Sequence, residues 1–281
     1  MIGIIGGTGL YRMEGLEVTR SSEVDTPFGQ PSGPVMMGRL AGRDIAFLPR
    51  HGLRHDLLPG EINFRANIWA LKSAGVRTII GVSAVGSLRE EIRPGDLALP
   101  SQYLDFTTGR RAASFFGKGL VAHVSTAHPT CAHTAALIAR VAESIGQPIH
   151  RDKTYACVEG PRLGTRAESF WLRSAGADLV GMTNVPEAFL ALEAQVGYCV
   201  ITVPTDYDCW LDDAAQHVSA EQVMGQFKES LGKVQRLLAQ VVAEYAEDEA
   251  RPCRQALKAA VVTPREQMNA EQRALLDFLM L

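Results

Sequence analysis

The chain is predicted to fold as α/β: a single domain with a central mixed, mostly parallel β-sheet flanked by helices, plus a C-terminal helical tail. Three observations predict this. Residues 2–5, 76–82, 179–183 and 198–204 are apolar runs rich in β-branched side chains, with Arg77 their one charge, the pattern of strands buried on both faces. These runs alternate with amphipathic stretches of roughly ten to fifteen residues, the β-α-β rhythm of a parallel sheet with helical crossovers. A length of 281 residues, 46% hydrophobic and 21% charged, suits one large core. We assign residues 1–246 to that domain and 247–281 to the extension.

Composition excludes several function classes. A net charge of -3 and a pI near 6.2 argue against a nucleic-acid groove or a membrane-surface patch, which need a basic surplus. Cys131, Cys157, Cys199, Cys209 and Cys253 form no C-x-x-C, so reduced thiols are expected in place of a disulfide framework or zinc site. The N-terminus lacks a basic n-region and no apolar run reaches membrane-span length, so a cytoplasmic protein is expected.

Taken in order, the strand at 2–5 runs into Gly6-Gly7-Thr8-Gly9, a turn whose backbone N–H groups and Thr8 hydroxyl can face an anion. The spacing is not G-x-G-x-x-G, and residues 23–34 are too rich in Pro and Gly to open a helix; a ligand-free tight turn is the alternative. Residues 35–38 and 44–48, joined around Ala41-Gly42-Arg43, read as a hairpin. Arg50-His51-Gly52-Leu53-Arg54-His55 follows directly. Arg can hold a phosphate through two parallel N–H bonds, and His51 can add a third donor. A helix at 61–74 stops at Gly75. The strand at 76–82 ends in Ser83-Ala84-Val85-Gly86-Ser87, small residues at a strand's carboxyl end.

Pro94-Gly95-Asp96 turns into short extended pieces at 97–99 and 103–106. His123, His128 and His133 recur at a spacing that suits neither one helix face nor a known metal pattern. Helices follow at 134–145, 165–174 and from Pro186 to about 196, with strands at 155–158 and 179–183, the latter ending in Thr183. Residues 219–246 read as a long helix with Val223, Phe227, Leu231, Val234 and Leu238 on its core face. A last helix begins near Ala270, and its Leu275, Leu276, Phe278 and Leu279 must pack on something.

The strand at 198–204 delivers Thr205-Asp206-Tyr207-Asp208-Cys209-Trp210 to a carboxyl end, where open α/β sheets bind ligands. If strand conformation continues, Asp206 and Asp208 point to the same side; a solvated turn is the bland reading. Hydroxyl donors at Thr8, Ser83 and Thr183, cations at Arg50 and His51, and a pair of acids suit a reaction between an anionic nucleophile and a leaving group that needs a proton. Phosphorolysis of an N-glycoside fits: a departing purine is stabilised when its N7 is protonated, which an Asp in apolar surroundings can do.

Ile4-Ile-Gly-Gly-Thr-Gly-Leu10, Arg50-His51-Gly52, Arg65-Ala-Asn-Ile-Trp-Ala-Leu71, Gly86-Ser-Leu-Arg-Glu-Glu91, Pro94-Gly95-Asp96, Glu159-Gly-Pro-Arg162, Arg166-Ala-Glu-Ser169, Gly181-Met-Thr183, Val185-Pro-Glu187 and Thr205 to Trp210 together resemble the methylthioadenosine phosphorylases. These are a branch of the trimeric purine nucleoside phosphorylases, and the likeness runs to about residue 240. The resemblance implies a pentosyltransferase of purine and methionine salvage with phosphate as co-substrate and no metal or organic cofactor. It implies phosphate binding by Thr8, Arg50, His51, Ser83, Ala84 and Thr183, ribose contact from Met182, and purine contact from Asp206 and Asp208, with Asp206 catalytic. It places the 5′ group against His55, Ala220, Val223 and Met224, with His123 from a neighbouring subunit of a homotrimer or dimer of trimers. Where the family commonly has an aromatic residue and a hydroxyl beside the base, this chain has Leu163 and Gly164. Adenine offers an acceptor at N7 and a donor at N6, so acceptor carboxylates favour it over 6-oxopurines. A phosphorylase for methylthioinosine or inosine, a dinucleotide-binding oxidoreductase and a non-catalytic nucleoside binder are the alternatives.

Overall fold

The computed structural model describes residues 1–7, 10, 15–107, 109–211, 219–248 and 250–281. In chain order the first half contains β1 (Ile2–Gly6), β2 (Glu17–Ser22), β3 (Val35–Leu40), β4 (Arg43–Pro49), α1 (Phe64–Ser73), β5 (Thr78–Ser87), β6 (Ala98–Phe106) and α2 (Ala132–Ser144). The second half adds β7 (His150–Val158), α3 (Arg166–Ser174), β8 (Leu179–Gly181), α4 (Asn184–Glu193), β9 (Gly197–Asp206), α5 (Ala220–Glu244) and α6 (Ala270–Met280).

Strand periodicity builds the two core layers. Successive side chains point to opposite faces, so Ile5, Leu48, Ile79 and Tyr198 pack with α1 and α4, whereas Ile4, Phe47, Ile80 and Cys199 pack with α2 and α5. A strand covered on both faces is apolar at nearly every position, which is why these segments read as near-continuous runs.

The sheet order is β2-β3-β4-β1-β5-β8-β7-β6-β9, and β9 also pairs with β5, so the last five strands close into a ring. Among the described residues five of the nine strand pairings are parallel and four antiparallel, the expected mixed sheet. Ring closure turns the ends of β5, β7, β8 and β9 toward one cavity. Two features differ from expectation. β2 is an exposed edge strand, polar but for the solvent-facing Val18, with no apolar alternation to reveal it, and β6 is one continuous strand where two short pieces are expected.

The tail packs away from that cavity. Phe278 of α6 stacks on Trp69 of α1 with ring centroids 3.7 Å apart, and Leu276 and Leu279 are buried in the same layer. Lys72 Nζ donates to the Ala194 carbonyl (2.7 Å) and to the Leu279 carbonyl (3.2 Å), satisfying acceptors that helix ends leave open. The apolar face of α6 is therefore covered by α1 and its neighbours.

Candidate active site

A cavity of about 830 Å³ opens where the ring strands end. Its anion-donor end rests on β4, β5 and β8. The Ser83 and Thr183 hydroxyls are 3.2 Å apart, and the Thr183 N–H is held toward the Tyr155 hydroxyl at 3.4 Å. Ala84 and Met182 line the wall beside them. Thr8 lies outside the described residues, although its neighbour Gly7 lines the cavity.

Arg50 follows β4 and is 2% exposed. Its Nε and Nη2 donate to both Glu187 oxygens (2.8 and 2.7 Å), Nη1 to the Val82 carbonyl (2.7 Å) and Nη2 to the Ile5 carbonyl (3.4 Å). A guanidinium carries five N–H groups, so four bonds leave one, on Nη1. Burial alone would pull this group's pKa down; the Glu187 carboxylate more than offsets that, and the net shift is upward. Glu187, fully buried, also accepts from the Tyr198 hydroxyl at 2.8 Å. An acid opening a helix reads in sequence as a dipole partner. Its pairing with Arg50, 137 residues away, is invisible there.

His51 Nδ1 donates to the Leu57 carbonyl at 2.9 Å, leaving Nε2 as the free ring nitrogen. Burial pushes its pKa down to about 4, with the Leu57 bond opposing and the charges of Arg50 and His55 adding. The neutral ring therefore presents an acceptor to the cavity, where the residue type alone suggested a donor. His55 stacks on it with centroids 4.6 Å apart.

The acidic end is carried by β9. Strand conformation stops at Asp206, and Asp208 takes a left-handed φ of 53°, which Asp tolerates better than most residues. Both carboxylates line the cavity through this turn and not through strand alternation. Asp206 Oδ1 accepts the Asp208 N–H and Oδ2 accepts the Thr205 hydroxyl, each at 2.7 Å. Burial pushes the Asp206 carboxyl up to about 6; the two bonds oppose this and the Asp208 charge adds to it. Burial pushes Asp208 up as well. Gly86 makes the approach possible, since a Cβ there would stand 3.1 Å from Asp206 Oδ1 and 3.3 Å from Asp208 Cβ.

Gly164 lies beside Asp208, where an added Cβ would stand 3.8 Å from its oxygens, and Leu163, Ala220, Val223 and Met224 also line the cavity, the last three from the start of α5, which Ser219 caps. His123 is exposed and outside this lining; its N–H donates to the Ala260 carbonyl at 2.8 Å. Among the described residues no group of three or more His, Cys, Asp or Glu is arranged to hold a metal ion, and no helix is long and apolar enough to cross a membrane.

A mixed sheet closing on a cavity with hydroxyl donors at one end and buried carboxylates at the other defines a nucleoside-phosphorylase-type domain. Residues 1–245 match the sequence model of the Phosphorylase superfamily, and the chain belongs to that family. It is 46% identical over 279 residues to an S-methyl-5′-thioadenosine phosphorylase of Geobacter sulfurreducens, covering 99% of this chain and 97% of that protein. A crystal structure of a methylthioadenosine phosphorylase from an antarctic soil metagenomic library is 44% identical with a TM-score of 0.91, covering 99% of this chain and 98% of that one. An adenosine/methylthioadenosine phosphorylase variant of Schistosoma mansoni, solved in complex with methylthioadenosine, is 33% identical with a TM-score of 0.84 and covers 98% of this chain and 96% of that one. The relative from Geobacter sulfurreducens spans the tail too, so the likeness extends beyond residue 240, where the motif resemblance is expected to end.

Proposed function

We propose that the chain catalyses phosphorolysis of 5′-methylthioadenosine: phosphate attacks C1′ of the sugar, the bond to the purine breaks, and adenine and 5-methylthioribose 1-phosphate leave. The observation that carries this reading is the cavity itself, with Ser83, Thr183 and Arg50 at one end and Asp206, raised to about 6, at the other. Asp206 gives or shares a proton with purine N7 as electrons move onto the base, and Asp208 accepts from the 6-amino group. The neutral His51 accepts a hydrogen from a protonated phosphate oxygen, and Thr8 belongs to the same phosphate cradle. Met182 faces the ribose, and His55, Ala220, Val223 and Met224 face the methylthio group. Inorganic phosphate is the co-substrate, and neither a metal nor an organic cofactor takes part.

His123 belongs to this reading only as a residue lent to a neighbour, which makes the working unit a homotrimer or dimer of trimers. Residues 1–246 form the catalytic domain, and 247–281 serve as an extension that braces α1.

A second reading has one observation in its favour. A Cβ at Gly164 would meet nothing closer than the Asp208 oxygens at 3.8 Å, so the wall beside Asp208 is open, and a protonated Asp208 could donate to O6 of a 6-oxopurine. One experiment separates the two. Methylthioadenosine, adenosine, inosine and methylthioinosine are incubated with and without phosphate and base release is followed. The reading expects phosphate-dependent adenine release, fastest from methylthioadenosine. Faster hypoxanthine release supports the second, and phosphate-independent release or none from any nucleoside overturns both.

A further inference from the structure

Arg111 lies in the segment after β6, has a side chain only 2% exposed, and is not part of the cavity wall. Its guanidinium nevertheless reaches two of the segments that form that wall. Nη1 donates to the Met182 and Val185 carbonyls, both at 2.7 Å. Nη2 donates to the Glu159 carbonyl at 3.1 Å and Nε to Glu159 Oε2 at 3.0 Å. The Phe64 ring of α1 lies against the guanidinium, 5.4 Å from its carbon to the centroid. The other Glu159 oxygen is pressed on Gly60, where an added Cβ would clash with it. Gly160 and Met182 in turn touch so closely that a Cβ at Gly160 would collide with the Met182 sulfur.

We propose that Arg111 is the positioning residue that sets the base-side segment at Glu159–Gly160 against the ribose-side segment at Met182–Val185. This rests on the phosphorolysis reading above. β7 and β8 end beside each other and no ladder bond joins the chain beyond Cys157 and Gly181, so their continuations need another tie. A planar guanidinium offers five donors in fixed directions and can bond three carbonyls and a carboxylate at once; a Lys ammonium, with three donors around one point, cannot span them. Arg111 is not itself a catalytic residue: it touches neither Asp206 nor the hydroxyls of Ser83 and Thr183 in any bond described above.

The test is steady-state kinetics of Arg111→Lys and Arg111→Gln, run well below each variant's thermal midpoint so that only folded enzyme is read. The expected result is a KM for methylthioadenosine raised roughly tenfold to a hundredfold, the scale of a displaced substrate contact, with kcat within about threefold because Asp206 is untouched. A nucleoside KM that stays at the wild-type value in folded Arg111→Lys overturns the proposal, whatever happens to Tm. So does a loss confined to kcat. Should both variants fail to fold, Phe64→Leu decides: it removes the ring under the guanidinium and none of its hydrogen bonds, and an unchanged KM overturns the proposal. If the wild type releases no base from any nucleoside, the activity reading fails by itself. The clamp is then judged by the Kd of methylthioadenosine in calorimetry, where equal values for wild type and Arg111→Lys overturn it.

Discussion

At the end of the cavity proposed for phosphate the charges cancel within the protein, because Arg50 spends two N–H groups on Glu187 and two on carbonyls before any ligand arrives. At the end proposed for the base, Asp206 and Asp208 share no cation among the described residues, and burial pushes both carboxyls upward. A pre-neutralised end meets an anion with hydrogen-bond donors, the Ser83 and Thr183 hydroxyls and the remaining Arg50 N–H, and not with net positive charge. An uncompensated acidic end stores the drive to take up a proton or a donor. Breaking the first should therefore cost mainly stability, and altering the second mainly rate and choice of base.

The largest effect is expected from Glu187→Ala. It leaves Arg50 buried and unpartnered, and removing one member of a buried pair typically costs about 3–5 kcal/mol. Denaturant unfolding would read this directly, and a loss under about 1 kcal/mol would show that Arg50 finds its compensation elsewhere.

Next comes a pH signature of the base end. The folded Asp206 carboxyl, near 6, keeps a proton that the unfolded chain releases near the ordinary value of 3.8. Folded protein thus binds more protons between those values, and this group's contribution to stability is fully present below the lower value and lost as pH rises through the upper one. The difference in unfolding free energy between Asp206→Asn and wild type should grow in favour of the variant by up to about 3 kcal/mol from pH 4 to pH 7. A flat difference would mean that the acid is not raised. The same substitution should lower kcat by about a hundredfold or more, the usual scale for a lost proton donor. A change in KM alone would reduce Asp206 to a binding group.

Much of this layout is legible in sequence, and the gaps have physical causes. The runs at β1, β5 and β9 are predominantly apolar and without alternation until their carboxyl ends because both faces are covered, and period-free apolar runs are readable. β2 carries Glu17, Thr19, Arg20 and Ser21 into solvent and shows no pattern. Ring closure through β6, β9 and β5 depends on pairings between strands far apart in sequence, which no local window contains. In the site, Asp206 and the strand-end hydroxyls can be found by residue type and position. Glu187 and Arg111 cannot, since their meaning lies in carbonyls and partners tens of residues away. Asp208 falls between: its membership of the site is legible, its left-handed backbone is not.

A smaller effect concerns choice of base. Asp208→Asn supplies an amide donor where the carboxylate only accepts, and it should shift the ratio of kcat/KM for methylthioadenosine over methylthioinosine by about tenfold toward the 6-oxopurine, within the ~1–3 kcal/mol of a well-placed base contact. An unchanged ratio would place the 6-position away from Asp208.

The smallest effect gives the sharpest view of whether the two ends act independently. A Cβ at Gly164 would stand 3.8 Å from both Asp208 oxygens, ordinary contact distance, and the backbone there is not left-handed, so Gly164→Ser is sterically tolerated. Its hydroxyl can donate to Asp208, which favours the ionised carboxylate and opposes the upward push of burial. An Asp208 held as an acceptor prefers a 6-amino group to a 6-oxo group. The expected gain in selectivity for methylthioadenosine over methylthioinosine is about threefold, near 0.6 kcal/mol and within the net worth of one hydrogen bond. It is read as the ratio of adenine to hypoxanthine released from a mixture of the two nucleosides, which cancels errors in enzyme concentration. A ratio that stays constant or moves toward hypoxanthine contradicts the role given to Asp208. The KM for phosphate should not move at all, because Ser83, Thr183 and the Arg50–Glu187 pair are settled among themselves; a shift there would mean that charge at the base end is felt across the cavity and that the phosphate end is not self-contained.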